Sequence, residues 1–409
     1  MPGKRKIIND PVFGFINIPK GLMYDIVRHP LLQRLSRIKQ LGLSSVVYPG
    51  AQHTRFQHSL GAFHLMSEAI QQLVQKGQFI FDSEAEAVQA AILLHDIGHG
   101  PFSHVLENTI VKGVSHEEIS IMLMQRMNKE MNGKLTLAIQ IFKDEHPKRF
   151  LHQLVSGQLD MDRLDYLSRD SFFTGVIEGN IGSARIIKML DVADDHLVVE
   201  SKGIYSIENF LTARRLMYWQ VYLHKSSVAY ERMLISTLLR AKELASKGVD
   251  LFASPALKFF LYNNIDQEAF YNNPECLENF ILLDDNDIWT ALKVWSTHTD
   301  KVLSTLSLGM IHRNLFKVEI STEPFSAERK KELTLHISKQ LNIPLSEASY
   351  FVSTPSIEKN MYNPADDRID IIYKDGTIKN IAEASDMLNI SLLSKMVRKY
   401  YICYLGLHG

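Results

Sequence analysis

An apolar run that ends in two ionisable side chains, Ala91-Ile92-Leu93-Leu94-His95-Asp96, constrains this chain more than any other feature. Burying a histidine and an aspartate side by side without partners is expensive. A helix C-terminus can satisfy the imidazole, but its negative dipole end offers nothing to the carboxylate. Convergence of both on a divalent cation removes the conflict. The residues that follow, Ile97-Gly98-His99-Gly100-Pro101-Phe102-Ser103-His104, add two more histidines in a glycine-rich turn. Seven of the 16 histidines (His53, His58, His64, His95, His99, His104 and His116) fall within one stretch of 64 residues in a 409-residue chain. That concentration points to a polar site. By contrast His29, His146, His196 and His298 read as structural, and His53 and His64 lean the same way.

Composition narrows what such a site can serve. A net charge of -1 argues against a general polyanion binder, which carries a basic face, so nucleic acid is not expected as the main substrate. Two distant cysteines, Cys276 and Cys403, make neither a disulfide framework nor a thiolate metal site, and fit a reducing, cytoplasmic setting. No signal peptide and no run of about 20 apolar residues is seen, so no membrane partner is expected.

Along the chain, Ile7 to Ile18 reads as two short strands around a turn. Helical spacing then dominates. It predicts helices over His58–Val74 and Ser83–His95, the latter with Ser83 as N-cap and Glu86 three residues on. Further helices are expected over Glu117–Met131, Leu135–Phe142, Arg149–Val155 and Met161–Phe172. A hairpin over Leu197–Tyr205 precedes one long helix from Ile207 to Ser246. After about Pro255 strand-like runs appear at Phe316–Ile320, Tyr350–Ser353, Ile369–Tyr373 and Tyr400–Leu405, with a helix over Glu328–Gln340. The expected fold is therefore mainly α: a helical body (residues 1–255) with an N-terminal β-hairpin, followed by a smaller α+β unit (residues 256–409).

A cation needs more than two ligands. His58 opens a helix in Arg55-Phe56-Gln57-His58-Ser59-Leu60-Gly61. Farther on, Asp160 to Asp170 holds six charged groups in eleven residues. Asp162, Tyr166 and Asp170 stand at i, i+4 and i+8 and share a helix face, while Asp165 and Arg169 share a neighbouring one. A salt-bridged surface helix is the alternative account of that segment.

His58, His95-Asp96 and Asp162 together match the H…HD…D pattern of the HD-domain metal-dependent phosphohydrolases. The stretches Tyr48–Gly61, His95–His104 and Asp160–Tyr166 resemble the deoxynucleoside triphosphate triphosphohydrolase branch, which includes vertebrate SAM- and HD-domain members and bacterial homologues. The resemblance runs from about Lys6 to Ser246. It implies an HD-type helical bundle that holds one divalent ion (Mn, Fe, Zn, Ni or Mg) on His58, His95, Asp96 and Asp162. It also implies hydrolysis of a dNTP to a deoxynucleoside and triphosphate by water attack on the α-phosphorus.

The same resemblance distributes further roles. His104 with Glu107, together with His116 and His99, would handle protons. Arg55, Arg163 and Arg214 would meet phosphate oxygens. Gln40 and Leu41 would lie beside the deoxyribose, Tyr166 and Asp170 would face the sugar, and Tyr222 would fill the place of a ribose 2′-hydroxyl. The vertebrate members assemble through a guanine-reading acidic residue. Arg28 occupies that position here, and Ser36 replaces a nearby arginine. An arginine accepts no guanine N–H, so regulation of that type is not expected, although a homo-oligomer (dimer or tetramer) is. Two other readings compete: an HD phosphohydrolase or phosphodiesterase acting on another nucleotide or on single-stranded nucleic acid, and a non-catalytic nucleotide-binding regulator.

Overall fold

The structure, a computed structural model, describes residues 5–102, 104–107, 109–111, 113–359, 368–386 and 397–406. The helix Arg55–Gln75 is its central element and packs on Asp82–Leu94 and Met161–Thr174. It begins where it does because Thr54 and Gln57 form a reciprocal cap: the Gln57 amide donates to the Thr54 hydroxyl, and the Thr54 amide donates to the Gln57 side chain. Its inward residues Ala62, Met66, Ala69 and Leu73 are fully buried. Each large apolar side chain of that stripe contributes about 1.5–3 kcal/mol through burial. The cap sets Arg55 and His58 in the first turn, at the positive end of the helix dipole.

The N-terminal hairpin is present as β1 (Lys6–Asp10) and β2 (Gly14–Ile18), paired antiparallel. Ten strands are described. β3 (Leu190–Ala193) and β4 (His196–Glu200) pair antiparallel, β4 pairs parallel with β8 (Asp370–Ile372), and β8 pairs with β9 (Ile378–Asn380). A second sheet is organised on β10 (Val397–Tyr404), flanked by β5 (Lys317–Ser321) on one edge and by β6 (Val352–Ser353) and β7 (Ser356–Lys359) on the other. The first of these sheets joins strands from both sides of residue 255, so the body and the C-terminal segment share main-chain hydrogen bonds. No helix among the described residues is long and apolar enough to cross a membrane.

Three local expectations are corrected. The helix ending at Leu94 starts at Asp82, and its cap is not Ser83: the Glu84 carboxylate accepts the Phe81 amide at 2.9 Å. The hairpin lies at Leu190–Glu200 rather than 197–205. Asp194 and Asp195 adopt φ of 50° and 60°, the left-handed pair that turns such hairpins, and Ile204 already begins the next helix. The expected single helix from Ile207 to Ser246 is two, Ile204–Met217 and Lys225–Ser246. A π-turn at Tyr218–Tyr222 closes the first, and the His224 side chain caps the second by accepting the Ser226 amide. Such π-turns tend to occur at functional sites.

Candidate metal centre and cleft

Three helices deliver the expected ligands. His58 comes from the first turn of Arg55–Gln75, His95 caps the end of Asp82–Leu94, and Asp162 sits in the first turn of Met161–Thr174. Their ligand atoms gather into one group. His58 Nε2 stands 3.2 Å from His95 Nε2 and 3.0 Å from Asp162 Oδ1, and His95 Nε2 is 3.5 Å from the same oxygen. Asp96 lies beside this group, 3.4 Å from His95 Nε2 and 3.8 Å from His58 Nε2. Its carboxylate also accepts from Arg55 and contacts His99 Nε2 at 3.2 Å.

These donors fit a cation. His95 Nδ1 faces the Ile92 carbonyl at 2.7 Å and His58 Nδ1 faces the Asp165 carboxylate at 2.6 Å. Both partners only accept, so each Nδ1 carries the proton and each Nε2 presents a lone pair. Two lone pairs and the Asp162 oxygen then converge with no donor among them. With no cation, only protons can hold this arrangement together. Burial opposes a charge on His58, but Asp162 and Asp165 outweigh it and push the imidazole up to about 10. Burial likewise works against the Asp162 carboxylate, which His58 and His95 nevertheless hold far below its ordinary range. A divalent ion satisfies all three atoms at once, and Asp96 lies close enough to join them.

Behind His58 runs a buried chain of ion pairs that sequence reading missed. Asp165 accepts from Arg169 at 3.0 Å, and Arg169 donates to Asp10 at 2.8 Å. The other Asp10 oxygen accepts the amides of Val12 and Phe13, which fixes the turn between β1 and β2. The side chains of His58, Asp165 and Arg169 are all fully buried. A carboxylate behind a metal-ligating histidine sets its tautomer and orientation. The i, i+4 spacing of Asp165 and Arg169 was the one signal available in the sequence. Gly61 makes room for the pair: a Cβ there would lie 1.9 Å from Asp165 Oδ1. Gly98 is constrained in the same way, because a Cβ would meet the His116 carbonyl at 2.1 Å. Ser120 ties this turn together, accepting the Gly98 amide and donating to the His95 carbonyl.

The metal group opens into a cavity of about 360 Å³. Asp96, Asp162, His99 and His116 line it, together with Gln40, Leu41, Arg55, Arg163, Arg214, Tyr166, Asp170 and Tyr222. The His99 and His116 rings stack with centroids 3.9 Å apart. Burial and the nearby Arg55 charge push His99 down to about 3, against the pull of Asp96, so its ring is neutral at physiological pH. Arg163 is anchored on Asp160, the N-cap of its helix, and Arg214 donates to Gln158 at 2.9 Å. Asp170 is held from two sides, by the Tyr222 hydroxyl at 2.8 Å and by His53 Nε2 at 2.7 Å. His53, read as structural from sequence, thus orients a cleft residue while stacking on Phe173. Tyr218, also missed, joins the wall through the π-turn, its ring 5.2 Å from that of Tyr222. His104 and Glu107 bound a short helix, and their side chains lie outside the described part of the structure. Arg28 covers the Tyr24 ring, and the Ser36 hydroxyl donates to the Gln33 carbonyl.

Comparison with known proteins follows the same outline. Residues 55–170 match the HD domain and residues 181–252 the HD associated region. The crystal structure of a phosphohydrolase from Bacteroides thetaiotaomicron superposes with a TM-score of 0.96 at 86% identity, covering 98% of this chain and 100% of that one. The uncharacterized protein YwfO of Bacillus subtilis is 30% identical over 93% of this chain and 88% of its own length. The deoxynucleoside triphosphate triphosphohydrolase SAMHD1 homologue of Dictyostelium discoideum is 31% identical over 58% of this chain. This chain spans 50% of that relative's length.

Proposed function

The chain belongs to the HD-domain phosphohydrolases, and from that premise we propose that it hydrolyses deoxynucleoside triphosphates to a deoxynucleoside and inorganic triphosphate. One observation carries this reading: a single cavity is lined by Asp96 and Asp162 of the metal group, by three arginines, and by Tyr166, Asp170 and Tyr222. That set of chemistries fits a phosphate chain and a sugar.

His58, His95 and Asp162, with Asp96, would hold one divalent ion, whose identity (Mn, Fe, Zn, Ni or Mg) the donor set leaves open. Such an ion acidifies water and withdraws charge from a phosphoryl group. The chain's own residues do the rest. Arg55, Arg163 and Arg214 neutralise and align phosphate oxygens, which is most of what phosphoryl chemistry asks of a protein. His99, held neutral at working pH, and the His116 ring stacked on it are proposed as proton-handling groups. His104 and Glu107 are proposed to complete this proton-handling set. Tyr222 is locked by its bond to Asp170 and presents a rigid wall to the sugar, where a 2′-hydroxyl would find no room and no partner. We further propose that the protein works as a homo-oligomer, without the guanine-triggered assembly that Arg28 and Ser36 argue against.

Incubating the protein with each dNTP, each NTP, dNMPs and an oligonucleotide in Mn²⁺ or Mg²⁺ tests the proposal. Triphosphate release from dNTPs is expected. Pyrophosphate release, or turnover of GTP as fast as dGTP, would overturn it.

A further inference from the structure

Beside the catalytic cavity lies a second one of about 490 Å³, and the two share Gln40, Leu41, Arg55, Tyr218 and Tyr222 as walls. A molecule whose sugar rests on Tyr222 therefore has open space ahead of it. The lining of the second cavity includes Leu43, Phe102 and Val228 of the Lys225–Ser246 helix. Ile357 of β7 contributes from the C-terminal segment. Such walls suit a flat ring.

Two charged side chains, Glu231 and Arg232, also line this cavity. Both are half-buried, and neither forms an ion pair or a side-chain hydrogen bond among the described residues. Arg232 Nε is buried with no partner. Farther along the same helix Arg240 binds Asp300, Glu243 and Glu347, and Glu243 also accepts from Lys247 just past the helix end. Two unpaired and partly desolvated charges side by side in a cavity of mixed polar and apolar walls are left for a ligand to complete.

We propose that this second cavity receives the nucleobase and that Glu231 and Arg232 read its edge, favouring guanine. The proposal rests on the nucleotide reading of the adjoining cavity and adds its base preference. A carboxylate only accepts and a guanidinium only donates. Guanine alone among the four bases offers both complements in full, two N–H groups at N1 and N2 for Glu231 and the O6 and N7 acceptors for Arg232. Adenine lacks O6 and its N–H neighbours, and a single-ring pyrimidine presents a shorter edge to both groups. One such two-point contact discriminates on the order of tenfold against the wrong base.

The test compares kcat/KM for dGTP and dTTP in the natural protein, Glu231→Gln and Arg232→Ala, and measures equilibrium binding of deoxyguanosine and thymidine to the same three proteins. The dGTP/dTTP ratio is expected to be about tenfold or more in the natural protein and to fall toward one in both variants, with deoxyguanosine binding weakening in parallel. A ratio near one in the natural protein, or an unchanged ratio in both variants, overturns the inference. The binding arm needs no hydrolysis. Selective, Glu231-dependent deoxyguanosine binding by a protein that cleaves no dNTP would uphold the base site and refute the hydrolytic reading. Equal binding of both nucleosides in that case would overturn the base site as well.

Discussion

Replacing Gly61 with alanine sets two effects of opposite sign against each other. Gly61 lies inside the helix Arg55–Gln75, where glycine is about 1 kcal/mol worse than alanine, so propensity alone forecasts stabilisation. The packing forecasts the reverse. The new Cβ would sit 1.9 Å from Asp165 Oδ1 and 2.2 Å from an Arg169 guanidinium nitrogen. Both side chains are fully buried and have no solvent to swing into. Restoring ordinary contact needs a shift of roughly 1.5 Å, enough to break the 2.6 Å bond of Asp165 to His58 or its 3.0 Å pairing with Arg169. Breaking a buried ion pair costs about 3–5 kcal/mol, which leaves a net loss of about 2–4 kcal/mol after the helix gain. Losing the carboxylate behind His58 should also weaken metal affinity about 10–100-fold. Urea denaturation of metal-free protein, followed by circular dichroism, reads the first effect, and Mn²⁺ titration reads the second. A Gly61→Ala protein as stable as the parent, with undiminished metal affinity, would refute the reasoning.

Other perturbations separate the remaining roles. Arg214→Ala should lower kcat/KM for dNTPs about 10–100-fold through loss of one charge-assisted phosphate contact, and an unchanged value would remove it from the phosphate set. Tyr222→Ala should narrow the dNTP over NTP preference severalfold by opening the space beside the sugar, and steady-state rates on dATP and ATP measure this. Asp285 gives a pH test away from the metal. Burial pushes its carboxyl up to about 6, against the Lys39 amide that donates to it at 2.9 Å. The folded state thus holds this proton more tightly than the unfolded chain, whose aspartates titrate near 3.9, so the charge penalty is absent below about pH 4 and complete above about pH 6. Asp285→Asn should therefore be more stable than the parent by about 1–3 kcal/mol at pH 7.5 and equal to it near pH 4. Identical melting differences at both pH values would contradict this.

How much of the molecule was legible beforehand depends on how local its causes are. His95-Asp96 announced itself because two adjacent ionisable groups at the end of an apolar run demand a common partner. The helices around it were legible from spacing alone. The chain Asp10–Arg169–Asp165–His58 was not, since its links join residues 159 and 107 positions apart and depend on tertiary packing. The break at Tyr218–His224 carries no glycine or proline, so apolar periodicity ran through it and read as one helix. That break delivers Tyr218 and Tyr222 to the cleft wall, which periodicity could not foresee. At Ser83 a sound rule chose the wrong residue: Glu84 reaches back to the Phe81 amide and moves the start forward. His53 was read as structural because nothing in its neighbourhood names Asp170, 117 residues away, as its partner.

The most direct measurement is metal stoichiometry. Natural protein and a His95→Ala/Asp96→Ala variant, each loaded with Mn²⁺ and desalted, go to elemental analysis. One ion per chain in the first and none in the second is the predicted result. Equal metal in both, or none in either, would contradict a cation held by these imidazoles and carboxylates.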